Sequence, residues 1–394
     1  MILVLNSRFL PAISTLALTL CLSGCFGKKK TASAAASGPL PLKSPLTPLL
    51  STFVYDEDLT LEPNDPAYDG VVPVGIAGSQ YDVFQSLNAP SAWQRQTACD
   101  EVIVGVVDSG VDTEHPDLIG NLHDIGSGTP VYGRNFINGT SDVSDQNGHG
   151  THVTGLIAAV GDNSTGVTGV CWSARVLVAK VTSSDGSAFL SDVVDGLEWL
   201  LDQDARVLNV SMGSYVPGTT LAEHEQFEDA FAGVISKATS QDAILVAAAG
   251  NSGTNANVNR TYPANLSSSR VLAVASNLEG LGSHESLISS SNYGGRTVHI
   301  SAPGYDLMST GHVDGDSVYV SKTGTSMAAP MVAGTLALMW DHIGIGGITG
   351  RALIDLFLNY SEPHTTGTLG QPGKYLLTGA KLDMGNALEA AANH

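Results

Sequence analysis

Basic residues are scarce in this sequence. Of 394 residues only 18 are Lys or Arg, against 38 Asp or Glu, giving a formal net charge of −20. So few cations cannot neutralise a phosphate backbone, which argues against nucleic acid as a partner. The acidity fits an exported, soluble surface but names no partner by itself. Charge of either sign is sparse, at 14%, while hydrophobic residues reach 43%. Wholesale disorder is therefore excluded, and a sizeable core is within reach. The chain has no internal repeat and no H-E-x-x-H motif. Its N-terminal apolar run, Ile13 to Leu22, is too short for a comfortable membrane span. Cysteine is rare, at positions 21, 25, 99 and 171 only. Glycine is plentiful, and 44 of them point to many tight turns and close backbone approaches.

The N-terminus has the build of a secretory signal, with one Arg near the start and a short apolar run ending in Leu22-Ser23-Gly24-Cys25. That ending resembles the lipobox of bacterial lipoproteins. The resemblance implies cleavage before Cys25, acylation of Cys25, and loss of Cys21 with the signal. Phe26 follows, not Asp, so nothing here resembles the signal for inner-membrane retention. Lys28-Lys29-Lys30 then leads into a Ser/Ala/Pro stretch without hydrophobic periodicity, which reads as a tether. We expect a signal peptide over 1–24, a lipid-anchored linker over 25–70 and a folded domain over 71–394. The implied location is exported, anchored to the cell envelope on its periplasmic or outer-membrane face, with the bilayer a partner through acylated Cys25. Cys99 and Cys171 both precede expected strands. In an oxidising compartment they are a candidate disulfide, with two buried free thiols as the alternative.

Within the domain, short β-branched runs alternate with helical patterns. Residues 101–107, 175–181, 207–210, 244–248 and 271–275 read as strands, and their unbroken apolar character indicates cover on both faces. Helices are expected over 149–159, 190–202, 223–240 and 327–340. The alternation predicts an α/β fold, a doubly wound and mainly parallel β-sheet with helices on both faces. In such sheets chemistry collects beyond the carboxyl ends of the strands.

Four elements at those positions stand out. The run V-I-V-G-V-V ends in Asp108, a carboxylate that burial would make costly without a partner; an Asp that starts a turn reads the same way. His149 opens a helix between Gly148 and Gly150. With His152 three residues on it forms a conceivable metal pair, but no carboxylate lies within the motif. Asn251 follows Ala247-Ala248-Ala249-Gly250, either as a turn former or as a donor aimed at developing negative charge. Ser326 lies in T-G-T-S-M-A-A-P, at the mouth of a helix apolar on all sides. Either Thr325 or Ser326 is expected to cap that helix. The small neighbours Gly324 and Ala328, and Pro330, which cannot donate to the Ser326 carbonyl, leave room for a second role.

Together D-S-G-V-D, H-G-T-H-V-T-G, A-A-A-G-N and G-T-S-M-A-A-P resemble the signatures of the subtilisin-like serine proteases, in that family's order. The resemblance implies a serine endopeptidase cleaving proteins or peptides, with Ser326 as nucleophile, His149 as base, Asp108 orienting it and Asn251 in the oxyanion hole. It implies an extended substrate between Ser211-Met212-Gly213 and Asp185-Gly186-Ser187, with Ala248, Ala249 and Gly250 flooring the first pocket. It also implies a Ca2+ site from the side chains of Asp117 and Asn163, carbonyls of Gly161, Thr165 and Val167, and Gln80. A monomer is expected. Thr323 and Met331 depart from the family's Asn and His, and the segment before the domain looks too short for the family's propeptide. A catalytically inactive surface lipoprotein acting as a binding module is the alternative.

Overall fold

The computed structural model describes residues 2–4, 61–70, 80–216, 221–278, 286–364 and 375–394. Cys25 and nearly all of the expected signal and tether lie outside the described residues. Strand β1 (Ile2–Val4) comes first, followed by helices α1 (Gln80–Ser86) and α2 (Ala89–Trp93). The central elements are β2 (Ala98–Asp108), β3 (Gly133–Asn135), α3 (His149–Ala158), β4 (Ser173–Lys180), β5 (Ser187–Phe189) and α4 (Leu190–Asp202). Next come β6 (Val207–Val210), β7 (Ser214–Val216), α5 (Leu221–Ser240), β8 (Ile244–Ala248), β9 (Arg260–Tyr262) and β10 (Val271–Asn277). The chain closes with β11 (Ile300–Pro303), β12 (Leu307–Val313), β13 (Asp316–Lys322), α6 (Thr325–Ile343), α7 (Gly350–Tyr360), β14 (Glu362–Pro363), β15 (Ala380–Lys381) and α8 (Met384–Ala392).

Nine of these strands form one sheet in the order β14-β15-β11-β10-β8-β6-β2-β4-β3, parallel except for the β14–β15 pair. The expected doubly wound α/β architecture is what forms. Strand β2 shows why its sequence carries no in–out alternation. Val104 and Val106 enter the core that includes α3 and α6, while Val107 enters the core beneath α4 and α5. Both faces are covered along the buried part of the strand, so Val102–Val107 carries no polar side chain. Strand order reverses around β2, which has β4 on one side and β6 on the other. A crevice opens at such a switch point, beyond the carboxyl ends of the strands. Asp108 is the last residue of β2.

Two expectations need correction. The tether does not run to residue 70: Tyr68 is fully buried in the main core, and Ala67 N–H donates to Gly166 O at 2.9 Å. Proline-rich composition hid a short segment whose aromatic ring stacks edge-on with Tyr81 and tilts against Trp93. Helix α6 is also not capped by Thr325 or Ser326, its N-cap being Gly324. Thr325 and Ser326 are both inside the helix and use their hydroxyls elsewhere.

Cys99 and Cys171 form a disulfide, with Cα atoms 5.9 Å apart, that joins the start of β2 to the approach to β4 across 72 residues. Closing a loop of that length restricts the unfolded chain by roughly 4 kcal/mol in the chain-entropy account. The Cys99→Ala/Cys171→Ala double variant is expected to lose about that much in urea unfolding, and an unchanged midpoint would contradict the bridge.

Candidate active site

The structure sets Asp108 against His149, sets Asn251 against the start of α6, which carries Ser326, and packs α3 on α6. Asp108 is fully buried and accepts from its neighbour Ser109 N–H at 2.7 Å and from His149 Nδ1 at 2.8 Å, both on Oδ1. A carboxylate offers only acceptors, so the His149 proton sits on Nδ1 and the Nε2 lone pair is free to act as base. Asp108 Oδ2 has no hydrogen-bond partner among the described residues. Its charge is met at longer range by Lys180 and Lys322: burial lowers the pKa of both ammonium groups, opposed by the fields of Asp145 and Asp108. Lys180 Nζ also donates to Ser109 O. Gly150 permits the close approach of these elements, since a Cβ there would lie 2.2 Å from Gly110 O.

The helix carrying His149 is anchored by a residue the motifs did not single out. Asp145 is buried and accepts five hydrogen bonds, from Asn147 N–H, Gly148 N–H, Ser109 Oγ, Thr151 N–H and Thr151 Oγ1, all between 2.7 and 2.9 Å. Burial alone would raise its pKa, but these donors outweigh it and hold the carboxyl below its ordinary range. They include orphan N–H groups at the N-terminus of α3, which a carboxylate suits. Ser109 Oγ in turn accepts from Gly150 N–H at 2.8 Å. In sequence Asp145 reads as a turn residue, which is why it escaped notice.

His152 takes no part in a metal pair. Its Nε2 faces the carbonyls of Leu307 and Val320, each at 3.0 Å, so that nitrogen carries the proton and ties α3 to the β12–β13 hairpin. Burial pushes the ring down to about 3, which keeps it neutral.

On the opposite wall, Asn251 Oδ1 accepts from Thr325 N–H at 2.9 Å and Thr325 Oγ1 at 3.1 Å. Because an N–H can only donate, the amide orientation is fixed and Nδ2 is turned to the cavity side without a partner among the described residues. Ser326 N–H is likewise unengaged there, one of the orphan donors of a helix start. Gly324 brings these groups together: its φ of 152° favours glycine, and a Cβ would sit 3.2 Å from Asn251 Nδ2.

Ser326 Oγ donates to Ser211 O at 2.9 Å, and Ser211 Oγ donates back to Ser326 O at 2.8 Å. The second bond fills the carbonyl that Pro330 leaves without a helical partner. In this resting arrangement the Ser326 hydroxyl is not bonded to His149.

A cavity of about 390 Å³ adjoins these groups, lined by uncharged residues that include Ser211, Met212, Gly213, Ala248, Gly250 and Thr261. Ala249 is not in the lining; it is buried with Ala256, Ala275 and Leu287 and backs the wall. Thr261 was not anticipated, because β9 is too short to read from periodicity. Asp185, Gly186 and Ser187 stand apart from the cavity lining, in a turn where Asp185 Oδ1 accepts from Ser183 Oγ and Ser187 N–H. Ser187 begins β5, which pairs in parallel with β1.

The expected calcium residues fit in part. Asp117 is fully buried, and burial pushes its carboxyl up to about 6, with the charge of Asp65 adding to the rise. Asp65, from the segment before α1, is raised by burial as well. Neither has an ion-pair partner among the described residues, and two adjacent carboxylates without a cation are donors that suit calcium. The loop carrying Gly161, Asn163, Thr165 and Val167 wraps them: Asn163 N–H donates to Asp65 Oδ1 at 3.3 Å and Val167 N–H to Asp117 Oδ2 at 2.8 Å. Asn163 turns its Nδ2 towards Asp117 at 2.7 Å and gives its Oδ1 to Thr165 N–H. Gln80 does not fit. Its amide is used at both ends, donating to Thr168 O and Met308 O and accepting from Thr168 N–H.

The model of the subtilase family, Peptidase S8, matches residues 100–372. Thermitase from Thermoactinomyces vulgaris is 34% identical over 277 residues, covering 70% of this chain and 85% of thermitase. Subtilisin BL from Lederbergia lenta is 36% identical over 280 residues, covering 70% and 88%. Among solved structures, a protease of Pseudoalteromonas arctica superposes with a TM-score of 0.65 at 27% identity, over 84% of this chain and 99% of that one. The chain belongs to the subtilase family and is a subtilisin-like serine endopeptidase.

Proposed function

We propose that this endopeptidase works through Ser326 as nucleophile, His149 as general base and then acid, and Asp108 as the group that holds the His149 proton on Nδ1. The observation that carries the reading is the 2.8 Å Asp108–His149 contact, together with two unengaged donors, Asn251 Nδ2 and Ser326 N–H, at the start of α6, the helix on which α3 packs. Rotation about χ1 moves the Ser326 hydroxyl from the Ser211 carbonyl to His149 Nε2. Attack on a substrate carbonyl then places the developing oxyanion on the two donors. The substrate's side chain before the scissile bond enters the uncharged cavity, so an apolar or aromatic residue is favoured there. Ser211–Gly213 and Asp185–Ser187 supply the two backbone edges for an extended peptide. Casein digestion by the wild-type protein, lost in Ser326→Ala, tests the assignment.

Asp145 positions this machinery through the His149 helix. Asp145→Asn would set an amide NH2 against several N–H donors, and we expect kcat to fall roughly tenfold to 100-fold with KM little changed. Because the folded-state pKa of Asp145 is depressed, its contribution is present above the ordinary carboxylate pKa and is lost as pH falls through the lower folded value. The wild-type acid-unfolding transition is expected to lose part of its steepness in Asp145→Asn, and an identical acid profile would contradict the role.

We also propose that calcium is held by Asp117 and Asp65 with carbonyl oxygens of the 161–167 loop, where it supplies structural charge compensation and no chemistry. Chelation is expected to lower the melting temperature by about 5–10 °C. Without the ion Asp117 has a raised folded pKa, so its favourable contribution is complete below the unfolded value of 3.8 and is lost as pH rises through about 6. The calcium effect should therefore be larger above pH 6 than below pH 4; an equal or absent effect in calorimetry would remove the site. Export and anchoring through acylated Cys25 complete the proposal, and removal of residues 1–24 would free the edge of β5 that β1 covers.

A further inference from the structure

A second cavity, of about 410 Å³, lies beside the first on the other side of β9: Thr261 lines one and Arg260 the other. In a chain with 38 acidic and 18 basic residues, its wall gathers Arg260 and Arg296 and no carboxylate. Arg296 is exposed and makes no ion pair among the described residues. Arg260 reaches Tyr262 Oη at 3.3 Å and Glu228 Oε1 at only 3.8 Å, and the Glu228 oxygens are already taken by Ser267 N–H and Oγ.

The remaining hydrogen-bonding capacity of the wall is one-sided. Asn257 Oδ1 is filled by Arg296 N–H and Thr297 Oγ1, and Asn265 Oδ1 by Thr261 N–H. Ser268 Oγ accepts from Arg270 N–H, which leaves its own O–H to give. His299 Nδ1 accepts from Ala273 N–H at 3.0 Å, so the proton of the neutral ring is on Nε2. Burial and the field of Arg351 push this ring down to about 4, in keeping with a neutral donor. Both side-chain amide oxygens of the wall are engaged, while the Arg296 guanidinium, part of that of Arg260, an imidazole N–H and a hydroxyl remain available. That is the complement of a small anion with several oxygens.

We infer that this cavity binds a small oxyanion, phosphate or carboxylate, with Arg260 and Arg296 as its charge partners and His299 Nε2–H as a neutral donor. The site is separate from the catalytic groups, and its test is independent of them. Isothermal titration of the full Ser326→Ala chain, which removes self-digestion, is run with sodium phosphate, with sodium acetate, and with chloride at matched ionic strength. Saturable uptake is expected for phosphate or acetate and not for chloride; the active salt tells whether a phosphate or a carboxylate is preferred. Affinity should weaken by about tenfold or more in Arg296→Gln, whose exposed position leaves the fold intact. It should vanish in the Arg260→Gln/Arg296→Gln double variant. Uptake no different from chloride, or uptake undiminished in the double variant, would overturn the inference.

Discussion

Ser326→Ala is expected to lower kcat on the order of 10⁶-fold while KM stays close to that of the wild type, a magnitude taken from subtilisin, a relative of this chain. The reasoning is geometric. The hydroxyl at Ser326 is the group that meets both the Ser211 carbonyl, at 2.9 Å, and the uncharged cavity. The cavity walls come mainly from Ser211–Ser214, Ala248, Gly250–Ser252 and Thr261, so substrate binding survives loss of one oxygen. What should remain is on the order of 10³-fold over the uncatalysed rate, from the donors and from positioning. A kinetic comparison on one peptide substrate checks this. A drop of less than about 100-fold would mean that another group attacks.

Asn251 carries the second large effect. Removing a side-chain donor from an oxyanion hole costs about 3–4 kcal/mol, or roughly 100- to 1000-fold in kcat, again a value established in subtilisin. Asn251→Ala also strips Thr325 N–H of its acceptor, and that amide belongs to a fully buried residue. Asn251→Asp is therefore the sharper variant. It keeps an oxygen for Thr325 and replaces only the donor with an acceptor, so kcat should fall at least as far as in Asn251→Ala while the melting temperature moves less. Equal turnover in either variant would show that the oxyanion is held elsewhere.

The legible parts of this molecule share one property: they end a long, strongly patterned element. Asp108 closes a strand buried on both faces, His149 opens a helix between two glycines, and Ser326 lies at the start of a helix that is core on nearly every side. Hydrophobic pattern locates such ends even when the partners are far apart in sequence. The residues that escaped are held by local polar bonds that leave no periodicity. Asp145 looks like a loop acid and is the knot of five hydrogen bonds. Asp65 sits among prolines yet takes N–H groups from Asp162 and Asn163. Thr261 belongs to a three-residue strand. The helix cap expected at Thr325 or Ser326 failed for a related reason: both hydroxyls are drawn to the crevice, one to Asn251 and the other to Ser211. The chemistry of the site outcompetes the local rule.

The central claim is that His149 activates Ser326 although the two are not bonded at rest. Labelling by a fluorophosphonate, followed by intact mass and peptide mapping, tests it most directly. One adduct per chain on Ser326 is expected, formed at least about 1000-fold more slowly in His149→Ala. A folded wild-type protein that takes no label, or a His149→Ala variant labelled at the wild-type rate, would contradict the account.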